Sequence, residues 1–191
     1  HVSAMLADFM TLYPEVHVHL EGTNRRIDPL VEGVDIALRA RPFPLEDSDL
    51  VLKVLSDRGQ CLVASPTLVE RHGEPSNPET LANLPSLSRA RPEEPHVWRL
   101  QRDGEERDIE HSPRFITTDM TALYNAALAG VGVVQLPSLM LGDSLASNKL
   151  VQVIPEWEPR REVIHAVYPS RRGLLPSVRA LLDFPPWFPL R

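Results

Sequence analysis

Hydrophobic and polar positions recur along this chain at spacings that switch from helical to extended and back. Met5, Leu6, Phe9, Met10 and Tyr13 fall at helical spacing ahead of Pro14, which predicts an amphipathic helix over 3–13 that stops at the proline. Val16, Val18 and Leu20 alternate with His17 and His19, the pattern of a strand with one buried face. After the turn Glu21-Gly22-Thr23-Asn24, Asp28 is placed to cap a short helix opened by Pro29 and closed by Gly33, and 34–38 reads as a buried strand. A carboxylate inside that strand is costly unless bonded, so Asp35 is expected to accept local hydrogen bonds. Strand, helix and strand in so short a span point to a parallel, right-handed βαβ unit.

Further along, 50–55 and 60–64 read as strands around the turn Ser56-Asp57-Arg58-Gly59, and Ser65-Pro66 caps a helix. Gly73, Pro75 and Pro78 break the chain before a helical turn near 79–84 and a small strand at 86–88. Segments 97–101 and 107–109 flank Asp103-Gly104, a hairpin signal, and 114–117 extends. Asp119 caps the most regular helix, with Met120, Leu123, Tyr124, Ala127 and Leu128 on one face and Gly130 behind them. An apolar strand over 131–136 is stopped by Pro137. Strands at 150–154 and 163–167 and a helix at 177–184, ended by Pro185-Pro186, complete the chain. The alternation predicts an α/β protein with mostly parallel sheets, without internal repeats or long linkers.

Composition narrows the class. With 191 residues, 42 % of them hydrophobic and 24 % charged, the chain is expected to be a soluble globular protein of one or two domains. Its single cysteine, Cys61, provides no disulfide framework and reads as a small core residue, so a reducing compartment, the cytoplasm, is expected. No run approaches the roughly 18 apolar residues of a membrane span, and 1–10 has neither the charged nor the apolar region of a signal peptide. The first residue is His1 rather than Met, which leaves a leader or an upstream domain open. A net charge of −6 argues against this stretch gripping a phosphate backbone, so any DNA contact is expected elsewhere. The 19 prolines are about twice the usual share of roughly 5 % and sit mostly at element edges, as punctuation.

Chemistry is conspicuous mainly by what does not occur. There is no G-x-S-x-G elbow, H-E-x-x-H helix, C-x-x-C pair or G-x-x-x-x-G-K-[ST] loop, so hydrolase, metalloprotease and ATPase readings lose support. No catalytic residue, metal or cofactor is expected. Gly130-Val131-Gly132 precedes a strand instead of following one, which suits helix termination and close packing rather than dinucleotide binding. His17 and His19 share a strand side but lack a visible third ligand and read as surface, as do the pairs Arg25-Arg26, Arg160-Arg161 and Arg171-Arg172. Above this background stands a set of strand ends, where open α/β sheets bind ligands: Thr23, Ala40 with Arg41, Ser65, and Thr118 with Asp119. Hydroxyls, a guanidinium and two helix N-termini suit a small carboxylate-bearing molecule, although Ser65 and Asp119 also suit a plain capping role.

The order of four motifs carries a family resemblance. Leu6-Ala-Asp-Phe-Met-Thr-Leu-Tyr-Pro-Glu-Val16, Asp28-Pro-Leu-Val-Glu-Gly-Val-Asp-Ile-Ala-Leu-Arg39, Leu62-Val-Ala-Ser-Pro66 and Ala129-Gly-Val-Gly-Val-Val-Gln-Leu-Pro137, with Trp98 and Val167-Tyr168-Pro169, resemble the effector-binding domain of LysR-type transcriptional regulators over about 3–184. The resemblance implies two Rossmann-like subdomains joined by two crossover strands, as in type 2 periplasmic binding proteins, with an effector in the cleft between them. Subdomain I would be 1–64 plus 166–191 and subdomain II 65–165. The implied ligand-binding set is Thr23, Ala40, Arg41, Ser65, Ser88, Thr118, Asp119 and Val133. The family's winged helix-turn-helix, its linker helix and its first strand would all lie outside this sequence, so DNA would be bound only through that missing domain. The resemblance also implies a homodimer, with a tetramer an option for the full-length protein. In it helix 3–13 of one protomer packs beside helix 119–129 of the other, through Met5, Phe9, Leu12, Val18, Leu123 and Tyr124. A periplasmic-type solute-binding protein is the alternative, and an enzyme on this fold is disfavoured because no nucleophile pairs with a base.

Overall fold

A computed structural model of the chain describes residues 2–23, 25, 27–42, 50–169 and 174–184. Asn24, Arg26, Arg171-Arg172 and Pro185-Pro186 lie outside the described residues. In chain order the elements begin with α1 (Val2–Leu12), α2 (Pro29–Glu32), β1 (Ala37–Pro42), β2 (Val51–Arg58), β3 (Gln60–Ala64), α3 (Pro66–His72), α4 (Pro78–Leu81) and β4 (Ser86–Ser88). There follow β5 (Val97–Arg102), β6 (Glu105–Glu110), β7 (Pro113–Ile116), α5 (Met120–Leu128), β8 (Val134–Pro137), α6 (Gly142–Ala146), β9 (Val151–Gln152), β10 (Glu158–Pro159), β11 (Glu162–Tyr168) and α7 (Pro176–Asp183). The chain divides into two compact units, 1–57 with 163–191, and 58–162.

In the first unit β11 lies between β1 and β2, and Ala166 and Tyr168 pack with Val178 and Leu182 of α7. Lys53 fastens that helix, its Nζ donating to Leu182 O at 2.5 Å and meeting the Asp183 carboxylate at 3.1 Å. Helix α1 buries Met5, Leu6 and Phe9, and the Phe9 ring lies 4.7 Å from Tyr13 and edge-on to Phe184 at 5.4 Å. Four local expectations change here. Segment 16–20 is not a strand: Val16 and Val18 are half-buried, but the segment joins no ladder, because alternation specifies a buried face and not a partner. Strand β1 starts at Ala37 rather than 34, since Val34 N–H is still donated to Pro29 O at 3.1 Å to close α2. Asp35 therefore sits exposed in a bend, not inside a strand. Strand β2 also runs through to Arg58, with only Gly59 separating it from β3.

In the second unit β3 pairs antiparallel with β8 and with β9, and the β5–β6 hairpin carries β10 antiparallel on its other edge. Parallel pairing is confined, among the described ladders of this unit, to β4–β7 and a bridge from Ser86 to Val133. The mostly parallel expectation fails in this unit: β5 and β6 return by a hairpin, where Asp103 and Gly104 both hold positive φ, 50° and 85°, the geometry of a two-residue turn that matches strand twist, and β3 and β5 also take strands from far along the chain in the antiparallel sense. Side chains of β3 alternate between two cores, as the extended period requires. Leu62 and Ala64 pack with Leu68, Trp98, Leu100 and Trp157, and Val63 packs with Leu87, Leu123, Ala127 and Leu136. Burial, with the Glu158 carboxylate nearby, pushes the Cys61 thiol up, and the side chain sits half-buried at the rim of the second core.

Strand β4 ties these layers together. Val133 N–H is donated to Pro85 O at 2.8 Å, Leu87 N–H to Val133 O at 2.9 Å, and Thr117 N–H to Ser88 O at 3.1 Å. The approach is so close at Gly132 that a Cβ there would lie 2.8 Å from Pro85 O. Ser86 Oγ meets His111 Nδ1 at 2.8 Å, and the His111 ring stacks on Trp98 at 3.9 Å, so β4 also anchors the hairpin. Burial, with His96 nearby, holds His111 down to about 4.

Two stability predictions follow from β4. Gly132→Ala must push backbone apart and should cost about 1–3 kcal/mol in denaturant unfolding, whereas Gly22→Ala, with nothing within 4 Å, should be near neutral. Equal midpoints for the two variants would contradict the close packing. His111 binds its proton more weakly folded than unfolded, so its stabilising contribution is intact above its ordinary value of 6.5 and is lost as pH falls toward about 4. The melting temperature should drop over that window, and His111→Gln, which keeps a hydrogen-bonding group but cannot titrate there, should flatten the drop.

Candidate functional site

The second unit gathers polar groups where β4 and β7 end. Ser88 is only 8 % exposed; its Oγ lies 2.9 Å from His96 Nδ1 and accepts Ala90 N–H at 3.3 Å. Arg89 follows, its Nη2 donating to both Glu162 oxygens at 3.0 and 3.3 Å and its Nη1 resting 3.8 Å from Met120 Sδ. The bond from Thr117 N–H to Ser88 O brings Thr117, the half-buried Thr118 and Asp119 alongside. Asp119 Oδ1 accepts from Thr121 and Ala122 N–H at 2.8 and 3.2 Å and so caps α5, while its own N–H goes to Thr117 Oγ1 at 3.1 Å.

Ser65 is buried and caps α3, accepting Leu68 N–H at 3.2 Å and lying 3.0 Å from Thr67 Oγ1. Val133 is fully buried in the core of Leu62 and Trp98, where its backbone serves β4. Ser65 and Asp119 are thus committed to helix ends and Val133 to packing, while Ser88, Arg89 and Thr118 stand beside one another.

Unit one carries the other sequence-derived candidates. Thr23 is exposed, with its Oγ1 accepting Arg25 N–H at 3.3 Å; Arg25 in turn forks onto Glu32 through two nitrogens. Ala40 is half-buried in β1, and the exposed Arg41 turns its Nη1 onto Ala40 O at 3.0 Å. His165 lies buried on β11, its Nδ1 3.3 Å from Val163 O; burial chiefly, then the Arg39 and Arg41 charges, pushes its pKa down.

Arg89, Glu162, His96 and His111 escaped the sequence reading. The two histidines were within reach of it: the hairpin pairs Val97 with Glu110, so one step outward sets His96 opposite His111, and His111 N–H is indeed donated to His96 O at 3.0 Å. Ending the strands at 97 and 109 hid the pair. Among the described residues no group of three or more His, Cys, Asp or Glu could hold a metal, and no helix is long and apolar enough to cross a membrane.

The residues assigned to a dimer contact separate into two classes. Met5, Phe9 and Leu123 are buried within their own units, Phe9 and Leu123 completely, so these three belong to the core and not to a free face. Leu12 is 63 % exposed and Val18 half-buried, and Tyr124 is half-buried with its hydroxyl 2.5 Å from Ser144 Oγ. The periodicity of α1 is broad because its core is deep on that side; its large exposed apolar side chains are Met10 and Leu12, followed beyond the helix by Tyr13 and Leu20.

The family model for the LysR substrate binding domain matches residues 1–185. An uncharacterized HTH-type transcriptional regulator of Haemophilus influenzae is 31 % identical over 173 residues, 91 % of this chain and 59 % of its own. PtxR, an HTH-type transcriptional regulator of Pseudomonas aeruginosa, is 29 % identical over 96 % of this chain and 58 % of its own. This chain therefore spans about three fifths of the length of those relatives. The structure of CrgA, a LysR-type transcriptional regulator from Neisseria meningitidis, superposes with a TM-score of 0.83 at 29 % identity, covering 96 % of this chain and 62 % of that one. The regulatory domain of AphB from Vibrio vulnificus gives 0.81 at 26 % identity, covering 95 % and 90 %. The chain belongs to the LysR substrate-binding domain family, the regulatory domains of LysR-type transcriptional regulators, with a type 2 periplasmic-binding-protein-like α/β fold.

Proposed function

We propose that this domain senses a small carboxylate-bearing effector, held in the cleft that the family resemblance implies, and thereby controls DNA binding by a longer cytoplasmic regulator. The observation that carries the reading is the convergence of Ser88, Arg89 and Thr118 at the ends of β4 and β7 in a chain of this family. Thr23, Ala40 and Arg41 are the contacts proposed from the first unit; Ser65, Asp119 and Val133 hold the elements that carry the others. An effector shifts the regulator only through unequal affinity for its two states, so the site must differ between them. DNA is contacted by a separate domain, in keeping with the net charge of −6 here. The solute-binding alternative is not favoured by relatives that are transcriptional regulators.

We propose further that the domain is a homodimer, with a tetramer an option for the longer protein, through the exposed apolar face of α1 rather than through Phe9. Sedimentation at micromolar concentration should give a dimer. Leu12→Glu should split it with little change in the monomer fold, and Phe9→Glu should unfold the protomer by placing a charge in its core. A monomeric unmodified domain would sink the dimer. For the effector, thermal unfolding with organic acids and their amides is the check: an acid present at about 100 Kd should add roughly 2.7 kcal/mol of stability, and an equal shift from its amide would remove the carboxylate class.

A further inference from the structure

Arg89 is held by Glu162 in an incomplete way. A guanidinium and a carboxylate match best as a fork, two nitrogens on two oxygens. Arg25 and Glu32 reach that arrangement in this same protein, Nη1 to Oε1 and Nη2 to Oε2. Arg89 instead divides one nitrogen, Nη2, between both Glu162 oxygens and leaves Nη1 against a thioether, a weak acceptor. The donors of Nη1 therefore lack a strong partner, although a carboxylate is within bonding distance of the same group.

The surroundings favour an anion arriving from outside. The side chains of Arg89 and Glu162 are 34 % and 20 % exposed, so both can be reached from solvent. Met120, against which Nη1 rests, opens the nine-residue α5, whose positive end is already answered by the Asp119 carboxylate, so the Arg89 guanidinium itself is what attracts an anion here. Ser88 precedes Arg89, and its backbone is bonded to Thr117.

We propose that Arg89 is the residue that binds the anionic group of the effector, and that Glu162 occupies its place until the effector arrives. This rests on the effector-sensing reading above and names the group that determines its preference for anions. Exchange breaks the Arg89–Glu162 bonds and forms a fork from Arg89 to the ligand, releasing Glu162 to water. Glu162 opens β11, where the chain passes from the second unit to the first, so its release alters the start of that strand. Because the two carboxylates compete, removing the internal one should strengthen binding.

Succinate and succinamide, titrated at constant ionic strength into the unmodified domain, Glu162→Gln and Arg89→Gln, test this, with the Arg89 side-chain N–H signals followed by NMR. Glu162→Gln should bind succinate at least about tenfold more tightly than the unmodified domain, with movement of the Arg89 signals, and succinamide should gain nothing. Arg89→Gln should lose succinate binding while keeping its circular dichroism and melting temperature; should it misfold, Arg89→Lys, which keeps the charge without the fork, should still bind more weakly. Succinate binding no tighter in Glu162→Gln, or undiminished in both Arg89 variants, would overturn the assignment. A metabolite that binds without moving the Arg89 signals would also overturn it while leaving effector sensing intact. Failure of every metabolite to bind would remove the reading beneath it as well.

Discussion

The missing Cβ of Gly132 lets two pieces of backbone meet. With a Cβ position only 2.8 Å from Pro85 O, no other residue fits there without backbone movement, and the reward for the approach is the pair of bonds linking Val133 with Pro85 and Leu87. Those bonds fix β4, a strand of three residues that could not hold its place by length alone. Ser86 and Ser88 then become partners for His111 and His96, and Ser88 O receives Thr117. The hairpin, the end of β7 and the entry to α5 are therefore all referenced to one short segment, and a disturbance there reaches each of them.

Polar groups of the second unit differ in how far their bonding capacity is used. Ser65 and Asp119 answer orphan N–H groups at helix starts, which stabilises α3 and α5 and leaves those oxygens little capacity for a ligand. His111 stays neutral over most of the pH range because burial disfavours its charge, so the stack on Trp98 rests on an uncharged ring. Arg89 is incompletely matched. On the effector-sensing proposal this unevenness has a use: fully satisfied groups hold the scaffold, and an imperfectly satisfied one has something to gain from a ligand.

Much of this was legible in the sequence where local chemistry determines local structure. Asp119 with its apolar stripe, Ser65-Pro66 and Asp103-Gly104 each specify a cap or turn within a few residues, and all three formed. The order of family motifs carried the fold. Errors arose where an outcome depends on residues distant in sequence. Val16, Val18 and Leu20 alternate without any partner strand being implied, and the periodicity of α1 did not reveal that Phe9 would meet Phe184. Arg89 and Glu162 lie 73 positions apart, and no local pattern joins them. His96 and His111 needed only the hairpin register carried one residue further.

If β4 positions Arg89 to exchange an internal carboxylate for an effector's, the structure of the domain with a bound carboxylate ligand provides the most direct test. We expect the ligand carboxylate on Arg89 in a two-nitrogen fork, near Ser88 and Thr118, with Glu162 turned away and the Pro85–Val133–Leu87 bonds unchanged. A ligand bound elsewhere, with Arg89 still on Glu162, would contradict it.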